Sequence, residues 1–311
     1  MITEKITYVV PDSMANFASC AGIIVQSKGK VLIDTNMGPE ELPELLECEN
    51  PDAAVITHYH LDHSVWTRYV ADHSKALVLI PKKEESYLTS LDFLIAHTAG
   101  PLGMPEPWRE FVVNRRGYRP LTVYEGYTET TSFQDLVPEM VILETPGHSP
   151  AHFSFYFPDE KILFSGDVGL DRFGPWYGWA DCDIKVLVES VLRLDGLSVN
   201  LVLTSHGGVI QKEIHKAFLN CIHHILEREN SIFQRLEKGM DKKDIIGQGV
   251  FYTNKKKVPE PLRSFFNMWD TAMYYHHEAL IKEGGLLRFF PEIRGMSWPT
   301  VMSVPKPVLY L

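Results

Sequence analysis

Short apolar runs broken by polar turns fill the first two thirds of the chain, and longer runs at helical spacing fill the last third. Residues 6–10, 21–26 and 30–34 read as strands, with Ser27-Lys28-Gly29 as a hairpin turn between the last two. Gly38-Pro39 opens a helix running to about Cys48, with acidic residues in its first turns where the helix dipole favours them. Residues 53–56 are apolar, partly β-branched and bounded upstream by Pro51-Asp52, which predicts a buried strand delivering a polar loop. A helix over about 62–72 and a strand over 76–80, stopped by Pro81, follow. Further strands are predicted over 137–144, 152–157, 161–164 and 201–204, the middle two joined by a hairpin at Pro158-Asp159-Glu160.

Two regions depart from this rhythm. Residues 82–130 hold a helical stretch at 84–96, then Gly- and Pro-broken chain at 99–107, with recurring aromatics (Tyr87, Phe93, Trp108, Phe111, Tyr118, Tyr124, Tyr127). This reads as an insertion with its own small apolar cluster, serving either as a lid or as plain packing or an oligomer contact. Beyond Gly208 the period becomes helical: a long helix over 213–238 stopped by Gly239, a short one near 241–246, and another over 259–283 ending at Gly284-Gly285. The tail, 289–311, carries Pro291, Pro299, Pro305 and Pro307 and is expected to be extended. The chain therefore divides into residues 1–210 and a helical region, 211–311.

The chemistry sits where strands end. The strand at 53–56 runs into Thr57-His58-Tyr59-His60-Leu61-Asp62-His63, packing three imidazoles and a carboxylate into six positions. Such groups are costly to bury unless something pairs with them, and a divalent cation suits their nitrogen and oxygen donors: zinc first, with iron or manganese as alternatives. A lone His-x-His pair would fit a polar surface turn. Here the pattern repeats: 137–144 ends in Thr145-Pro146-Gly147-His148, 161–164 in Ser165-Gly166-Asp167, and 201–204 in Ser205-His206-Gly207-Gly208. Open sheets carry function at one end of their strands, so neighbouring strand ends would converge. His152 reads as a partner that holds a ligand ring.

Composition narrows the field. The apolar and charged fractions, 45% and 23%, are those of an ordinary globular protein. The net charge of −10 argues against a polyanionic partner, and Lys82-Lys83, Arg115-Arg116 and Lys255-Lys256-Lys257 read as solvated surface. Cys20, Cys48, Cys182 and Cys221 are widely spaced and read as free thiols of a reducing compartment. The first residues lack a signal-peptide core and no run approaches ~20 apolar residues. The expected location is the cytoplasm, with no membrane contact.

His58-x-His60-x-Asp62-His63, followed by His148, Asp167 and His206, resembles the metallo-β-lactamase superfamily over residues 5–210. Thr-Pro-Gly-His and Ser-Gly-Asp resemble its glyoxalase-II-like branch. The resemblance implies an α+β fold, an αββα sandwich with metals at one edge. It implies two metals: His58, His60 and His148 on the first, Asp62, His63 and His206 on the second, and Asp167 between them. Asp62 would also steer the water or assist proton transfer. The implied activity is hydrolysis of a small acyl substrate, a thioester of the acyl-CoA kind, by a hydroxide shared by the two cations. A phosphodiesterase or ribonuclease on the same fold, and a non-catalytic metal-binding protein, are the alternatives. Asp167 stands where true β-lactamases place a cysteine, and His60 where the electron-transferring branch has glutamate, so neither of those activities is expected.

The segment after Asp167 departs from the glyoxalase II pattern. Arg172 would bind a carboxylate or phosphate or pair with Asp171 or Asp183; Trp176, Tyr177 and Trp179 would wall the pocket or pack the core. Arg228-Glu229 with Ile232, Leu236 and Gly239, then His276-His277, resemble a winged-helix-like appendage of some superfamily members, here expected as a pocket wall or a homodimer surface. His223-His224 and His276-His277 read as structural or surface histidines.

Overall fold

The computed structural model describes residues 1–12, 19–171 and 173–296. Two sheets carry the first two thirds. The first has strand order β1 (Ile6–Val9), β2 (Gly22–Gln26), β3 (Lys30–Ile33), β4 (Ala53–Val55), β5 (Leu77–Pro81), β6 (Glu125–Tyr127). The second runs β11 (Val209–Ile210), β10 (Leu201–Leu203), β9 (Ile162–Phe164), β8 (Phe153–Phe157), β7 (Val141–Glu144). Strands β3, β4, β5 and β6 are mutually parallel. Strands β9 and β10 are parallel, and β8 is antiparallel to both β7 and β9, so β7, β9 and β10 share one direction.

Side chains alternate across a strand, and here both faces are buried. Ile23, Val25, Val31, Ile33, Ala53 and Val55 meet Ile142, Phe153, Phe155, Phe157, Ile162 and Phe164 between the sheets. Ile24, Leu32, Ala54, Val78 and Ile80 turn outward to the helical layers. Those layers are α1 (Glu41–Glu49), α2 (Leu61–Ser64), α3 (Thr67–His73), α4 (Glu85–Thr89), α5 (Leu91–His97), α6 (Pro105–Glu110) and α7 (Ile184–Asp195). Asp183 caps α7, accepting from the amides of Lys185 and Val186. Beyond β11 come α8 (Ile214–Glu237), α9 (Lys242–Gln248), α10 (Leu262–Lys282) and α11 (Leu286–Phe289).

The αββα architecture and the helical C-terminal region are as expected; several elements differ. The single helix expected over 62–72 is two, broken at Val65-Trp66. Residues 82–130 have no separate apolar cluster: Trp108, Tyr118 and Leu121 belong to the main core, and β6 joins the first sheet by pairing with β5. Trp108 stacks on Phe111, and both rings meet Phe265 of α10. A wing is absent: among the described residues no strand follows β11. In the expected extended tail, Pro291–Gly295 forms a 3-10 turn, and 297–311 lie outside the described residues.

Candidate metal centre

Each site residue stands just past the C-terminal end of a strand. His58, His60, Asp62 and His63 follow β4, His148 follows β7, Asp167 follows β9 and His206 follows β10. Because these strands share direction within each sheet, both sheets deliver their loops to one edge. The amide of Phe153 donates to the Thr57 carbonyl (3.1 Å) and that of Ala21 to Ser205 (2.9 Å), tying the sheets together there.

The seven residues gather into two groups, each with its ligand atoms within 4.8 Å of one another: His58, His60 and His148; and Asp62, His63, Asp167 and His206. Asp167 Oδ2 faces both, 3.5 Å from His148 Nε2, 3.5 Å from His63 Nε2 and 3.4 Å from His206 Nε2. His206 Nε2 is also 3.2 Å from Asp62 Oδ2.

Hydrogen bonding assigns the ring protons of the first group. His148 Nδ1 donates to the Trp176 carbonyl (2.8 Å). Thr57 Oγ1 gives its proton to Asp34 and so accepts from His58 Nδ1 (2.9 Å). The Nε2 atoms of His58 and His148 therefore carry lone pairs, yet they face each other at 3.1 Å. Two lone pairs at that distance repel, and a cation shared by them removes the conflict. Nε2 of His60 and of His63 are buried with no hydrogen-bond partner among the described residues. This donor set fits divalent metal.

Burial, then the neighbouring imidazoles, push His58 well below its ordinary pKa; burial also lowers His60 and His148. All three are thus neutral, the form a ligand needs. In the second group burial opposes charge but the neighbours prevail. Asp62 and Asp167 lie well below the usual carboxylate range, held by His63 and His206, and both histidines are raised in turn.

A supporting layer orients these groups, and most of it is silent in the sequence. Asp34, in the left-handed region at φ 62°, is fully buried and accepts from the amide (2.8 Å) and hydroxyl of Thr57 and from His63 Nδ1 (2.8 Å). His63 Nε2 is thereby turned toward the second group. Glu84 is also fully buried; it accepts from the amides of Tyr59 (2.7 Å) and Ala151 (2.8 Å) and the hydroxyl of Ser149 (2.5 Å). It brackets the loop of His58 and His60 to that of His148. His152 supports the site but holds no ligand ring: its Nε2 accepts the Asp167 amide (2.8 Å), so Nδ1 donates to Thr145 Oγ1 (2.9 Å). A side chain at Gly166 (φ 59°) would meet His152 Nε2 at 2.4 Å, which is why the residue before Asp167 is glycine. A further buried set, Cys20, Asp34 and His63, meets the same ligand distance, but Asp34 is already engaged by Thr57 and His63.

The substrate-wall expectation divides. Trp176 is half-buried, edge-on to His60 (centroids 5.5 Å, 86°) and near His148 (5.9 Å). Tyr177 is fully buried and faces the helical region, its hydroxyl bonded to His277 Nε2 (2.8 Å) and Arg228 (3.1 Å), so it packs an interface instead of lining a pocket. Trp179 is buried against Trp108, Trp176 and Trp269. Arg172 lies outside the described residues. Arg116, expected in solvated surface, is half-buried; burial lowers its pKa against the pull of Asp62. A cavity of about 430 Å³ lies between Pro101-Leu102, the start of α7 and α10; none of the seven residues lines it.

Comparison with known proteins agrees with this geometry. A family model described as the metallo-beta-lactamase superfamily matches residues 17–206. The human "Acyl-coenzyme A thioesterase MBLAC2" is 28% identical over 164 residues, 47% of this chain and 56% of that protein. "Probable metallo-hydrolase YflN" of Bacillus subtilis (strain 168) is 25% identical over 175 residues, 50% of this chain and 64% of that one. The match thus spans under two thirds of either relative's length. The metallo-beta-lactamase family protein TTHA1429 of Thermus thermophilus superposes with a TM-score of 0.65 at 19% identity, covering 91% of this chain and 95% of that one. A beta-lactamase domain protein from Burkholderia ambifaria gives 0.67 at 14%, covering 91% and 88%. At those identities the likeness is one of fold.

Proposed function

The chain belongs to the metallo-β-lactamase superfamily, and from that premise we propose that it is a two-metal hydrolase of a small acyl substrate, a thioester of the acyl-coenzyme A kind. The observation that carries the two-metal reading is Asp167 Oδ2, within 3.5 Å of a histidine of each group. His58, His60 and His148 would hold one cation, Asp62, His63 and His206 the other, and Asp167 would serve both. Zinc suits the five imidazoles and two carboxylates.

When bound, such a pair lowers the pKa of a shared water and polarises the electrophilic oxygen. The chain's own groups do the rest. Asp62 Oδ2 lies 3.2 Å from His206 Nε2, beside the place the second cation would take, so its carboxylate can accept a hydrogen bond from the attacking water and orient it. Neutral His58, His60 and His148 leave the first group without protons to displace. The Trp176 indole covers one side of that group and offers an apolar face to an acyl chain. The thioester preference draws support from the 28% identity to an acyl-coenzyme A thioesterase and from this wall. The glyoxalase-II-like Thr145-Pro146-Gly147-His148 is consistent with thioester chemistry. In this reading residues 1–210 carry the reaction and 211–311 support its wall.

The test is elemental analysis of wild-type protein beside Asp167→Ala, with hydrolysis of acyl thioesters assayed on the same samples. We expect about two metal ions per wild-type chain, fewer in the variant, and hydrolysis lost with the metal. Metal-replete protein that cleaves phosphodiesters and spares every thioester would overturn the substrate class; protein that takes up no metal would overturn the whole reading.

A further inference from the structure

In the sequence Arg228 of α8 stands out only within the winged-helix-like pattern of the C-terminal region. In the structure it is half-buried and reaches across to the segment after Asp167. Nη1 donates to the Pro175 carbonyl (2.5 Å) and to the Tyr177 hydroxyl (3.1 Å), and Nη2 donates to the Phe173 carbonyl (2.7 Å). The guanidinium also stacks over the rings of Tyr177 (5.4 Å) and Phe251 (4.6 Å). The Tyr177 hydroxyl is also hydrogen-bonded to His277 Nε2 on α10 (2.8 Å). The residue enclosed by these contacts is Trp176. Its indole Nε1 donates to the Tyr252 hydroxyl (2.8 Å), and its carbonyl takes the Nδ1 proton of His148 (2.8 Å).

We propose that Arg228 is the positioning residue for Trp176, so that the C-terminal helices set the apolar wall of the metal centre and, through it, which acyl group is accepted. The acyl part rests on the hydrolase reading above; the positioning part does not. A planar fork with fixed donors can hold two carbonyls and a hydroxyl at once, which a lysine ammonium on a flexible stem does poorly. The carbonyl that Arg228 fixes, Pro175, immediately precedes the one that fixes the His148 tautomer. A shift of the segment therefore moves the indole and the ligand ring together. Tyr252 closes the arrangement from the other side, its ring stacked on Phe266 of α10 (4.4 Å, 12°).

The experiment uses full-length protein carrying fluorotryptophan, with the Trp176 fluorine resonance identified from Trp176→Phe, and cobalt(II) as the probe ion. We expect cobalt(II) to broaden and shift that resonance in wild type, and the effect to fall at least twofold in Arg228→Met and by an intermediate amount in Arg228→Lys. Tyr252→Phe, which removes the acceptor of the indole N–H and keeps the ring, is expected to change it in the same direction and keeps the test open if Arg228→Met does not fold. In a series of straight-chain acyl thioesters, the kcat/KM ratio between long and short chains is expected to fall about tenfold in Arg228→Met, mainly through KM. A Trp176 resonance indifferent to cobalt(II) in wild type, or equally affected in all variants, overturns the proposal. A resonance that depends on Arg228 in a protein that hydrolyses no thioester upholds the positioning role and removes the acyl reading alone.

Discussion

Glu84 takes three hydrogen bonds from two ligand loops, yet burial outweighs them and pushes its carboxyl up to about 7. Because the folded pKa lies above the ordinary 4.5, the native state binds the extra proton between those values. Its contribution to stability is therefore greatest below pH 4.5 and falls as pH rises to 7, by about 3 kcal/mol in all. Glu84→Gln removes that slope while leaving an amide that cannot accept from every donor. Urea unfolding of both metal-free proteins on either side of the window should show the wild-type advantage shrinking as pH rises; a constant gap would rule the mechanism out. Asp34 works differently, by holding one tautomer of His63. Asp34→Asn should weaken metal at the second group by roughly 10–100-fold in a competitive chelator titration, with the first group less affected. The ligands themselves were legible because each directly follows a buried apolar run. Asp34 occupies the same place after β3 and could have been found by the same signal. Glu84, three residues past β5, has no pattern around it; only its burial distinguishes it from its charged neighbours Lys82, Lys83 and Glu85.

Among the elements, strands are more legible in the sequence than the segments that pair or pack without a period of their own. Residues 53–55 and 201–203 are unbroken apolar triplets and became β4 and β10. Glu125-Gly126-Tyr127 has no alternation and is a strand only because β5 offers it a partner, so nothing local sets it apart from the insertion. The period of the amphipathic helix α7, capped by Asp183, is masked in the sequence by the aromatics just before it. The aromatics of residues 82–130 showed that something apolar had to be covered, but not that α10 covers it; that contact joins positions some 150 residues apart in sequence, as Trp108 and Phe265 show. Trp108→Ala should consequently do more than empty a local cluster. It opens a cavity among Phe111, Trp179, Phe265 and Trp269 and should cost about 3–5 kcal/mol in denaturant unfolding. A loss below about 1 kcal/mol would mean that the insertion packs on the body more loosely than these rings require. Gly147 belongs to the same scale: at φ 118°, a Cβ there would meet the Leu187 amide nitrogen at 2.2 Å, so the His148 loop is fitted against α7.

At the scale of the whole molecule, the two metal groups have a feature that no single strand end contains. His58, His60, Asp62 and His63 come from the first sheet, and His148, Asp167 and His206 from the second, so each group draws ligands from both. Between the sheets the core is apolar and needs no metal; at this edge, opposed imidazole lone pairs face each other, and half-buried carboxylates face imidazoles, instead. Bound cations would therefore act as staples across one edge of the sandwich, and their removal should loosen that edge before the rest. A ligand at a thousandfold excess over its Kd adds about 4 kcal/mol to the native state. In a chain of 311 residues that corresponds to a fall in Tm of roughly 6 °C on chelation. Hydrogen exchange resolves where the loss falls. Chelation should expose the amides of residues 57–64, 145–149, 165–168 and 204–207, while those of β2 and β3, paired along their whole length, stay protected. Faster exchange spread evenly over both sheets would instead mean that the metals stabilise the fold globally, and that the supporting bonds of Asp34, Glu84 and His152 do not hold the edge when the ions leave.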